Sequence, residues 1–485
     1  MGQSFFRAVY LTAIYIFSAT YANGQENSVT AQPQLLTLED AAAIMLNNNR
    51  TIKIAEEAIA GATVQKQQLN ATWYPTIGAT GGYIHSSNDI SVKADLGNLA
   101  QDMADAFPEL QQLLPQLEQL LPQLGQLISA LGNITITIPL LKQNLTTIDV
   151  AAIWPLVTGG KRIYASRIGT ELETTARLLY TNACNAQMAL MINAYYTLKL
   201  SNQTTQMQQE NLQYLNKLQH NALRLKEEGF INKAEYLVVQ VAAQEAQQLL
   251  KSSQANEKIA LQALNTILGI STTATPCTPY LLPQNTPETD YNNALLTNNA
   301  QLKILSTQQK IIENKKKIAI AGYLPDIALI ARHNLYSGNI PSNLLPRNMI
   351  GATFQWNIFN GLYREKEIQK SNIENRELQL ATEQTRMELT TAASALQSKM
   401  ENAANSIKTM ELTTALAKEL LREREKSFKE GMCTPTEVVE AKAALLKGET
   451  ALSLAYWEYN TALANLLALC SNSEQFIELH HEHKQ

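Results

Sequence analysis

The chain contains the same sequence pattern twice, and this duplication limits the folds that it can adopt. Leu46–Ile54 (LNNNRTIKI) matches Leu296–Ile304 (LTNNAQLKI), 250 residues later. Further along, Trp154–Gly159 matches Trp356–Gly361 at an offset of 202 residues. The difference of 48 residues indicates an insertion in the first copy. Self-similarity at a fixed offset predicts two structurally similar units.

Each copy is predicted to begin with a helix and to continue with a pair of strands. The first helices are expected from Leu38 to about Ala71, with Thr37 as N-cap, and from about Asn292 to Gly322. The strand segments are residues 77–87, 148–154, 327–337 and 349–359, which are rich in glycine and β-branched side chains. Their length of about 10 residues suits tilted strands of a membrane barrel, but soluble hairpins would give the same pattern.

A very long helix and a shorter return helix complete each copy. Lys161–Glu228 contains no proline, and Leu362–Glu430 contains neither glycine nor proline. Apolar residues recur in steps of three and four, so each segment predicts a rod of about 100 Å. Gly229 and Gly431 mark the helix ends, and return helices are expected over residues 234–268 and 435–469.

The first 24 residues have the features of a secretory signal peptide. An apolar run at residues 8–22 follows Arg7 and precedes a small-x-small cleavage pattern. An N-terminal membrane anchor is the alternative. No later window approaches the ~20 apolar residues of a membrane helix, so any membrane crossing would have to use strands. The expected domains are repeats at 25–270 and 291–470, a linker at 271–290 and a polar His-containing tail at 471–485.

Composition and motifs exclude several classes of function. With 39 basic and 43 acidic residues, the formal net charge of −4 argues against a protein that binds polyanions by bulk charge. No nucleophile elbow, phosphate loop or zinc motif occurs, so we predict a protein that is not an enzyme, without cofactor or metal. The tail sequence His480-His481-Glu482-His483 invites a metal site, but its place at a mobile terminus argues against one.

In order and duplication, these features resemble the TolC family of outer-membrane efflux proteins. The duplicated Asn-Asn segments carry the resemblance, together with the helix ends at Tyr74-Pro75 and Leu324-Pro325, the tryptophan–glycine turns and the glycine–acidic turns. The resemblance implies a mostly α-helical fold with a membrane β-barrel portion. It further implies a homotrimer in which each chain gives four strands to a shared barrel above a helical tunnel.

The same resemblance implies a passive role in transport. The trimer would sit in the outer membrane, extend into the periplasm, and serve as exit duct for an inner-membrane pump with a periplasmic adaptor protein. Drug or solute efflux and type I secretion both fit this role. A periplasmic coiled-coil scaffold or adaptor without a pore is the alternative reading of the helices.

The resemblance also assigns residues at the periplasmic end. The carboxylates that form the gate in the family align with Glu235, Glu437 and Glu440. The alternative is that these glutamates are only solvated first-turn residues, whose charge interacts favourably with the helix dipole. The family's common arginine after the second glycine is Cys433 here, and Lys233 is a partial substitute. The adaptor-facing tips are expected to be Gly229, Phe230, Ile231, Gly431, Met432 and Cys433.

The insertion lies between the strands of the first pair, in residues 88–139. It is rich in leucine, proline and glutamine, and Pro108, Pro115 and Pro122 recur every seven residues. Its position between the two strands predicts an extracellular loop. We hypothesise that three copies narrow the pore mouth; a disordered or lipid-facing loop is the alternative.

Overall fold

The computed structural model describes residues 35–87, 90–95, 135–141, 143–285, 290–340 and 346–482. The chain divides into two compact units. The first comprises Met1–Ala55, Thr181–Ala300 and Arg386–Gln485, and the second comprises Glu56–Tyr180 and Gln301–Thr385. The predicted signal peptide lies outside the described residues.

Helices make up most of the described chain, which confirms the predicted fold class. They are α1 (Leu38–Asn48), α2 (Arg50–Ala71), α3 (Lys161–Glu227), α4 (Lys233–Leu268), α5 (Tyr291–Asn298), α6 (Ala300–Ala321), α7 (Tyr363–Lys429), α8 (Pro435–Leu469) and α9 (Gln475–Glu482). The strands are β1 (Leu35–Leu36), β2 (Thr76–His85), β3 (Ile90–Asp95), β4 (Thr135–Leu141), β5 (Asn144–Thr158), β6 (Thr275–Pro276), β7 (Asp326–Gly338) and β8 (Asn348–Gln355). A short 3₁₀ helix covers Pro283–Asn285.

The long helices follow the sequence prediction closely. Helices α3 and α7 each contain 67 residues, and both of their ends keep the offset of 202 found in the sequence. The return helices α4 and α8 also begin 202 residues apart. The duplication therefore extends to the lengths of these secondary-structure elements.

The first helix of each copy is broken, which corrects the prediction of continuous helices. Asn49 separates α1 from α2, and Asn299 separates α5 from α6. The Asn49 side-chain amide donates to the carbonyl of Ile267 at 2.8 Å, and its Oδ1 accepts the N–H groups of Thr51 and Ile52. Asn49 therefore ends α1, caps the first N–H groups of α2, and donates a hydrogen bond to a carbonyl at the C-terminal end of α4.

The second copy repeats this arrangement, but there the side chain of Ser471 accepts one of the backbone N–H groups. The Asn299 amide donates to the carbonyl of Leu469, the last residue of α8, at 2.8 Å. The N–H of Ala300 donates to Ser471 Oγ at 3.0 Å. Asn49 and Asn299 are both buried, so the duplicated Asn-Asn segments serve as buried polar junctions between helix ends.

Four strands of the second unit form one antiparallel sheet in the order β2-β5-β7-β8. The predicted strand segments are confirmed, with β5 longer than expected and β8 ending at Gln355, before Trp356. Strands β3 and β4 pair as a separate antiparallel ribbon inside the predicted insertion. The proline-rich run at residues 108–131, on which the pore-mouth hypothesis rests, lies outside the described residues.

The tail is not a mobile terminus as far as Glu482, because α9 packs into the first unit. Phe476 is fully buried, and His480 Nε2 lies 2.8 Å from the hydroxyl of the buried Tyr196. The N–H of Ser473 donates to Asn185 Oδ1 at 2.8 Å. The histidine that the sequence offered as a metal ligand therefore contacts an aromatic core instead.

Within the part of the chain described here, no helix combines the length and the apolar character needed to span a membrane.

Candidate functional site at the helical hairpin turns

Both helical hairpins of the first unit turn through the same backbone motif. After α3, the N–H of Phe230 donates to Leu225 O at 2.8 Å and that of Gly229 to Lys226 O at 3.1 Å. After α7, Met432 and Gly431 make the equivalent bonds to Ser427 and Phe428. This pattern is a Schellman motif, which requires a left-handed residue. The φ angles of +79° at Gly229 and +74° at Gly431 meet that requirement.

A buried apolar cluster holds the two hairpins together beside these turns. We call it the hairpin cluster; its members are Leu215, Leu218, Ala222, Val239, Ala243, Ala246, Ala417, Leu421, Val438, Ala441 and Leu445. Because these side chains come from α3, α4, α7 and α8, the cluster fixes the positions of both turns relative to each other.

The predicted tip residues divide into exposed and packed side chains. Phe230 is 75% exposed and Met432 is 70% exposed. Ile231 and Cys433 instead pack against the hairpin cluster. Large apolar side chains that remain exposed at a turn are available to a partner, whereas the packed ones support the turn. Phe230 and Met432 are therefore the exposed side chains of the predicted tips, Ile231 and Cys433 are partly buried, and the contact of these turns with an adaptor stays a prediction.

Two of the predicted gate carboxylates, Glu235 and Glu437, lie in the first turns of α4 and α8, and Glu440 lies one turn further along α8. Glu235 lies at position N3 of α4, where its N–H donates to Asn232 Oδ1 at 2.9 Å. Glu437 closes a capping box, since its carboxylate accepts the N–H of Thr434 at 3.1 Å. Glu440 is exposed. Thus Asn232 caps α4 beside Glu235, and the Glu437 carboxylate itself caps α8, while Glu440 faces solvent.

An arginine that sequence reasoning missed pairs with one gate carboxylate. Arg424 Nη1 in the last turns of α7 lies 3.5 Å from Glu437 Oε1, with side chains 43% and 40% exposed. Lys233, the predicted substitute, is exposed at the start of α4. Arg424 corresponds to Ala222 in the first copy, so the duplication gave no signal for it. In the sequence, the only sign of the pair is that Arg424 is a basic residue 13 positions before Glu437, at the start of the return helix.

Cys433 lies beside this ion pair. Its Sγ is 3.4 Å from the carbonyl oxygen of Arg424. Burial and the neighbouring Glu437 carboxylate raise the pKa of the Cys433 thiol. Because the thiolate is the reactive form, this environment keeps Cys433 in its weakly reactive thiol form.

A groove of about 430 Å³ lies between α3 and α7 near the turns. Its lining includes the basic residues Lys217, Arg224 and Lys429, together with Tyr214. Burial and the Glu425 carboxylate, which accepts a hydrogen bond from the Tyr214 hydroxyl, raise the pKa of that hydroxyl. Because Glu228 and Glu425 also line it, the groove is a partly apolar surface of mixed charge, near the turns where the resemblance expects an adaptor.

The second unit contains a pair of equivalent arginines whose role the sequence did not reveal. Arg364 donates to the carbonyls of Gly322, Asn357 and Ile358 at 2.7 to 2.8 Å. Its guanidinium lies 4.3 Å from the ring centroid of Tyr323. One buried side chain therefore joins the end of α6, the turn after β8 and the start of α7.

Arg162 does the same in the first copy. It donates to Leu156 O at 2.6 Å and Thr72 O at 3.4 Å, and it lies 4.4 Å from the ring centroid of Trp73. The indole N–H of Trp154 donates to Trp73 O at 3.0 Å, as that of Trp356 does to Tyr323 O. The duplicated tryptophan turns are thus explained as connectors between strands and helices.

In the described ranges, no group of three or more His, Cys, Asp or Glu side chains is placed to hold a metal ion.

Comparisons with known proteins bear on the second repeat and on the fold. The family profile of outer membrane efflux proteins matches residues 292–472, which covers the second repeat. No curated protein matches the chain. The solved structure of CusC is similar with a TM-score of 0.70 and 14% identity, over 89% of this chain and 91% of that one.

Two further solved structures of outer membrane proteins share the fold. The outer membrane protein VceC of Vibrio cholerae gives a TM-score of 0.68 at 16% identity, over 90% of this chain and 96% of that one. The CmeC outer membrane channel of Campylobacter jejuni gives 0.68 at 10% identity, over 91% and 89%. These findings confirm the resemblance to TolC-type outer-membrane efflux proteins, since the second repeat matches the family profile and the chain shares the fold of the solved structures.

Proposed function

We propose that this chain, a TolC-type outer-membrane efflux protein by its second repeat and its fold, is one third of a passive exit duct. The trimer receives cargo from an inner-membrane pump through a periplasmic adaptor and releases it outside the cell. Drug or solute efflux and type I secretion are both compatible with a duct of this kind. The pump supplies the energy, and the duct supplies a path and a gate.

The open four-stranded sheet is the observation that carries this proposal. Strands β2 and β8 form its two edges, and every residue of both strands is exposed. An open edge leaves backbone N–H and C=O groups unpaired, which a membrane interior does not tolerate. Pairing β8 of one chain with β2 of the next removes the edges, so three chains would close a barrel of twelve strands.

The exposed side chains on these edge strands support a lipid-facing surface. Ile77 is 74% exposed, Ile350 is 84% exposed and Phe354 is 64% exposed. Large apolar side chains at these levels of exposure are costly in water but favourable against lipid. A soluble scaffold would gain nothing from an apolar sheet of this kind.

The gate is proposed to be an acidic constriction made by Glu235, Glu437 and Glu440 of each chain. Around a threefold axis, these carboxylates from both hairpins would repeat three times and favour cations over anions. The ion pair between Arg424 and Glu437 takes the part that the family's arginine would play, because it ties the end of α7 to the start of α8.

The tips are proposed to contact the adaptor. Phe230 and Met432 supply exposed apolar side chains, and the glycine turns at Gly229 and Gly431 shape the backbone that presents them. Ile231 and Cys433 hold the turns against the hairpin cluster.

Reconstitution in planar lipid bilayers tests the proposal. Purified protein is expected to give stable channels with cation preference, and Glu440→Gln is expected to lower that preference. Glu245→Gln, which changes an exposed carboxylate further along α4, is the matched control. Protein that salt alone releases from cell envelopes, and that forms no channels, would favour the periplasmic scaffold and contradict the duct.

A further inference from the structure

A cavity of about 480 Å³ lies in the second unit, where the sheet meets the helices. Its walls come from the start of α3, the end of α6, the start of α7 and the adjoining ends of β7 and β8. Two lysines and two acidic residues line it: Lys161, Lys315, Asp326 and Glu367. A volume of this size suits a small organic molecule.

The cavity lies on the polar face of the sheet. Asp326 and Gln355, which both line it, are directly opposite each other in the pairing of β7 with β8, so their side chains share one face. Arg332 is on the same face, whereas Ile350 and Phe354 are on the other. Because the apolar face contacts lipid in the proposed barrel, the polar face and its cavity line the lumen.

The duplication shows that the charges of the cavity are not needed to join strands to helices. The junction arginine is present in both copies, as Arg162 and Arg364. Three other charged residues of the cavity correspond to neutral residues in the first copy: Lys315 to Gln65, Asp326 to Thr76 and Glu367 to Ala165. The first copy therefore builds the same connection without these charges, and a binding role accounts for them in the second.

Two of the four charges are paired with each other and two are available to a ligand. Lys161 Nζ lies 2.8 Å from Asp326 Oδ2. Lys315 is exposed and has no ion-pair partner in the part of the chain that the structure describes. Glu367 makes only a long contact, 3.9 Å, with the exposed Lys370. The cavity thus presents one cation and one carboxylate that are not strongly paired.

The remaining lining is apolar, aromatic and amide. Tyr363 supplies a ring that is 68% exposed, and Ile318 and Leu324 supply apolar surface. Asn360 Oδ1 is buried and accepts no hydrogen bond from the residues described. An ammonium group is a donor of the kind that this amide oxygen lacks. Opposite charges beside an apolar and aromatic wall are complementary to a zwitterion with an apolar body.

We infer that this cavity is a binding site for zwitterionic organic solutes, with Lys315 facing the anionic group and Glu367 facing the ammonium group. Since the cavity lines the lumen of the proposed duct, the inference rests on that function and names a class of cargo that the duct holds on its way out. Binding at exposed charges is weak, and a conduit needs sites that release what they bind.

The first experiment measures equilibrium binding to the full-length protein in detergent by saturation-transfer NMR. The probe is para-aminomethylbenzoate, a zwitterion with one aromatic ring. Its methyl ester keeps only the ammonium group, and its N-acetyl derivative keeps only the carboxylate. The zwitterion is expected to bind at least about twofold more tightly than either derivative, because each derivative loses one charge contact.

Two variants replace a cavity charge by the residue of the first copy. Lys315→Gln and Glu367→Ala are each expected to weaken binding of the zwitterion by about two- to fivefold. Lys317→Gln is the matched control, because Lys317 is exposed on the same helix, its Nζ lies 5.8 Å from the ring centroid of Tyr164, and it also corresponds to a glutamine, Gln67. This control is expected to bind the probe as wild type does.

The second experiment asks whether the bound probe lies in the conduction path. Wild-type channels in planar bilayers receive the probe at increasing concentration, and their single-channel conductance is expected to fall reversibly. Lys315→Gln channels are expected to need about two- to fivefold more probe for the same fall, and Lys317→Gln channels are not.

The outcomes separate this inference from the proposed function. Equal binding of the three probes, or a Lys315→Gln variant that binds the zwitterion as tightly as wild type, would overturn the site while the duct survives. Binding without any fall in conductance would overturn the cargo role. A wild-type protein that forms no channels would contradict the duct and the cargo role together, whereas the NMR titration would still decide whether the cavity binds zwitterions.

Discussion

The ion pair between Arg424 and Glu437 gives the sharpest test of the proposed gate. Glu437 has two functions, since its carboxylate caps α8 and also pairs with Arg424 across the turn. Glu437→Gln separates them, because glutamine at this position can still accept the N–H of Thr434 but carries no charge. Arg424→Gln removes the same pair from the other side.

The geometry sets the expected magnitude. The charged atoms are 3.5 Å apart and the side chains are 43% and 40% exposed, so one pair contributes about 0.2–1 kcal/mol. If three chains contribute equally to the closed state, the total is about 0.6–3 kcal/mol. This energy corresponds to an increase of about 3- to 150-fold in the ratio of open to closed channels.

Single-channel recording measures this ratio as open probability. Glu437→Gln and Arg424→Gln are expected to raise it by similar factors, and the double variant by no more than either one. Raising the salt concentration should reduce the difference between wild type and variants, because exposed charges are screened. Unequal effects, or two single effects that add in the double variant, would refute the idea that this pair holds the gate.

Three further predictions concern the buried polar groups. Asn299→Ala leaves the Leu469 carbonyl without its donor and should destabilise the protein by about 1–3 kcal/mol in thermal melts. Arg364→Lys keeps the charge but cannot reach three carbonyls, so a loss of about 2–4 kcal/mol is expected in the same assay. Burial and the Glu425 carboxylate raise the pKa of Tyr214, so the neutral hydroxyl stabilises the fold fully below about pH 10 and this contribution is lost as the pH rises further. Tyr214→Phe should therefore flatten the fall in melting temperature between about pH 10 and 12.

Neighbouring residues supply the controls for these predictions. Asn298→Ala changes an exposed asparagine one position earlier, and Lys366→Ala removes an exposed cation from the same turn as Arg364. Both should melt within about 0.5 kcal/mol of wild type. A control that melts as early as its partner variant would show that the loss has another cause. For Tyr214→Phe, a melting temperature that falls with pH as steeply as that of wild type would show that Tyr214 does not cause the fall.

The sequence predicted the long helices well because their signals are local. An uninterrupted period of three and four residues, ended by a glycine that must adopt positive φ, needs no knowledge of the rest of the chain. The strands were found for the same reason, although their limits depended on pairing and moved by several residues. The two hairpin turns at Gly229 and Gly431 were located correctly.

The missed features all depend on partners far away along the chain. Asn49 breaks a helix because the open end of α4 at Ile267 needs a donor, 218 residues later. Arg424 has no counterpart in the first copy, so the repeat could not indicate it. The sequence alone places His480 in a mobile tail, because its partner Tyr196 is 284 residues away. Local pattern reading has no access to contacts of this kind.

The equal lengths of α3 and α7 restrict how this protein can change over evolution. One residue added to a single long helix would turn everything beyond it by about 100° and advance it by about 1.5 Å. The Schellman turns and the hairpin cluster would then no longer match those of the other copy. Length variation is therefore confined to matched changes in both helices or to the loops between strands, and the 48 extra residues of the first copy lie between two strands of the sheet, β2 and β5.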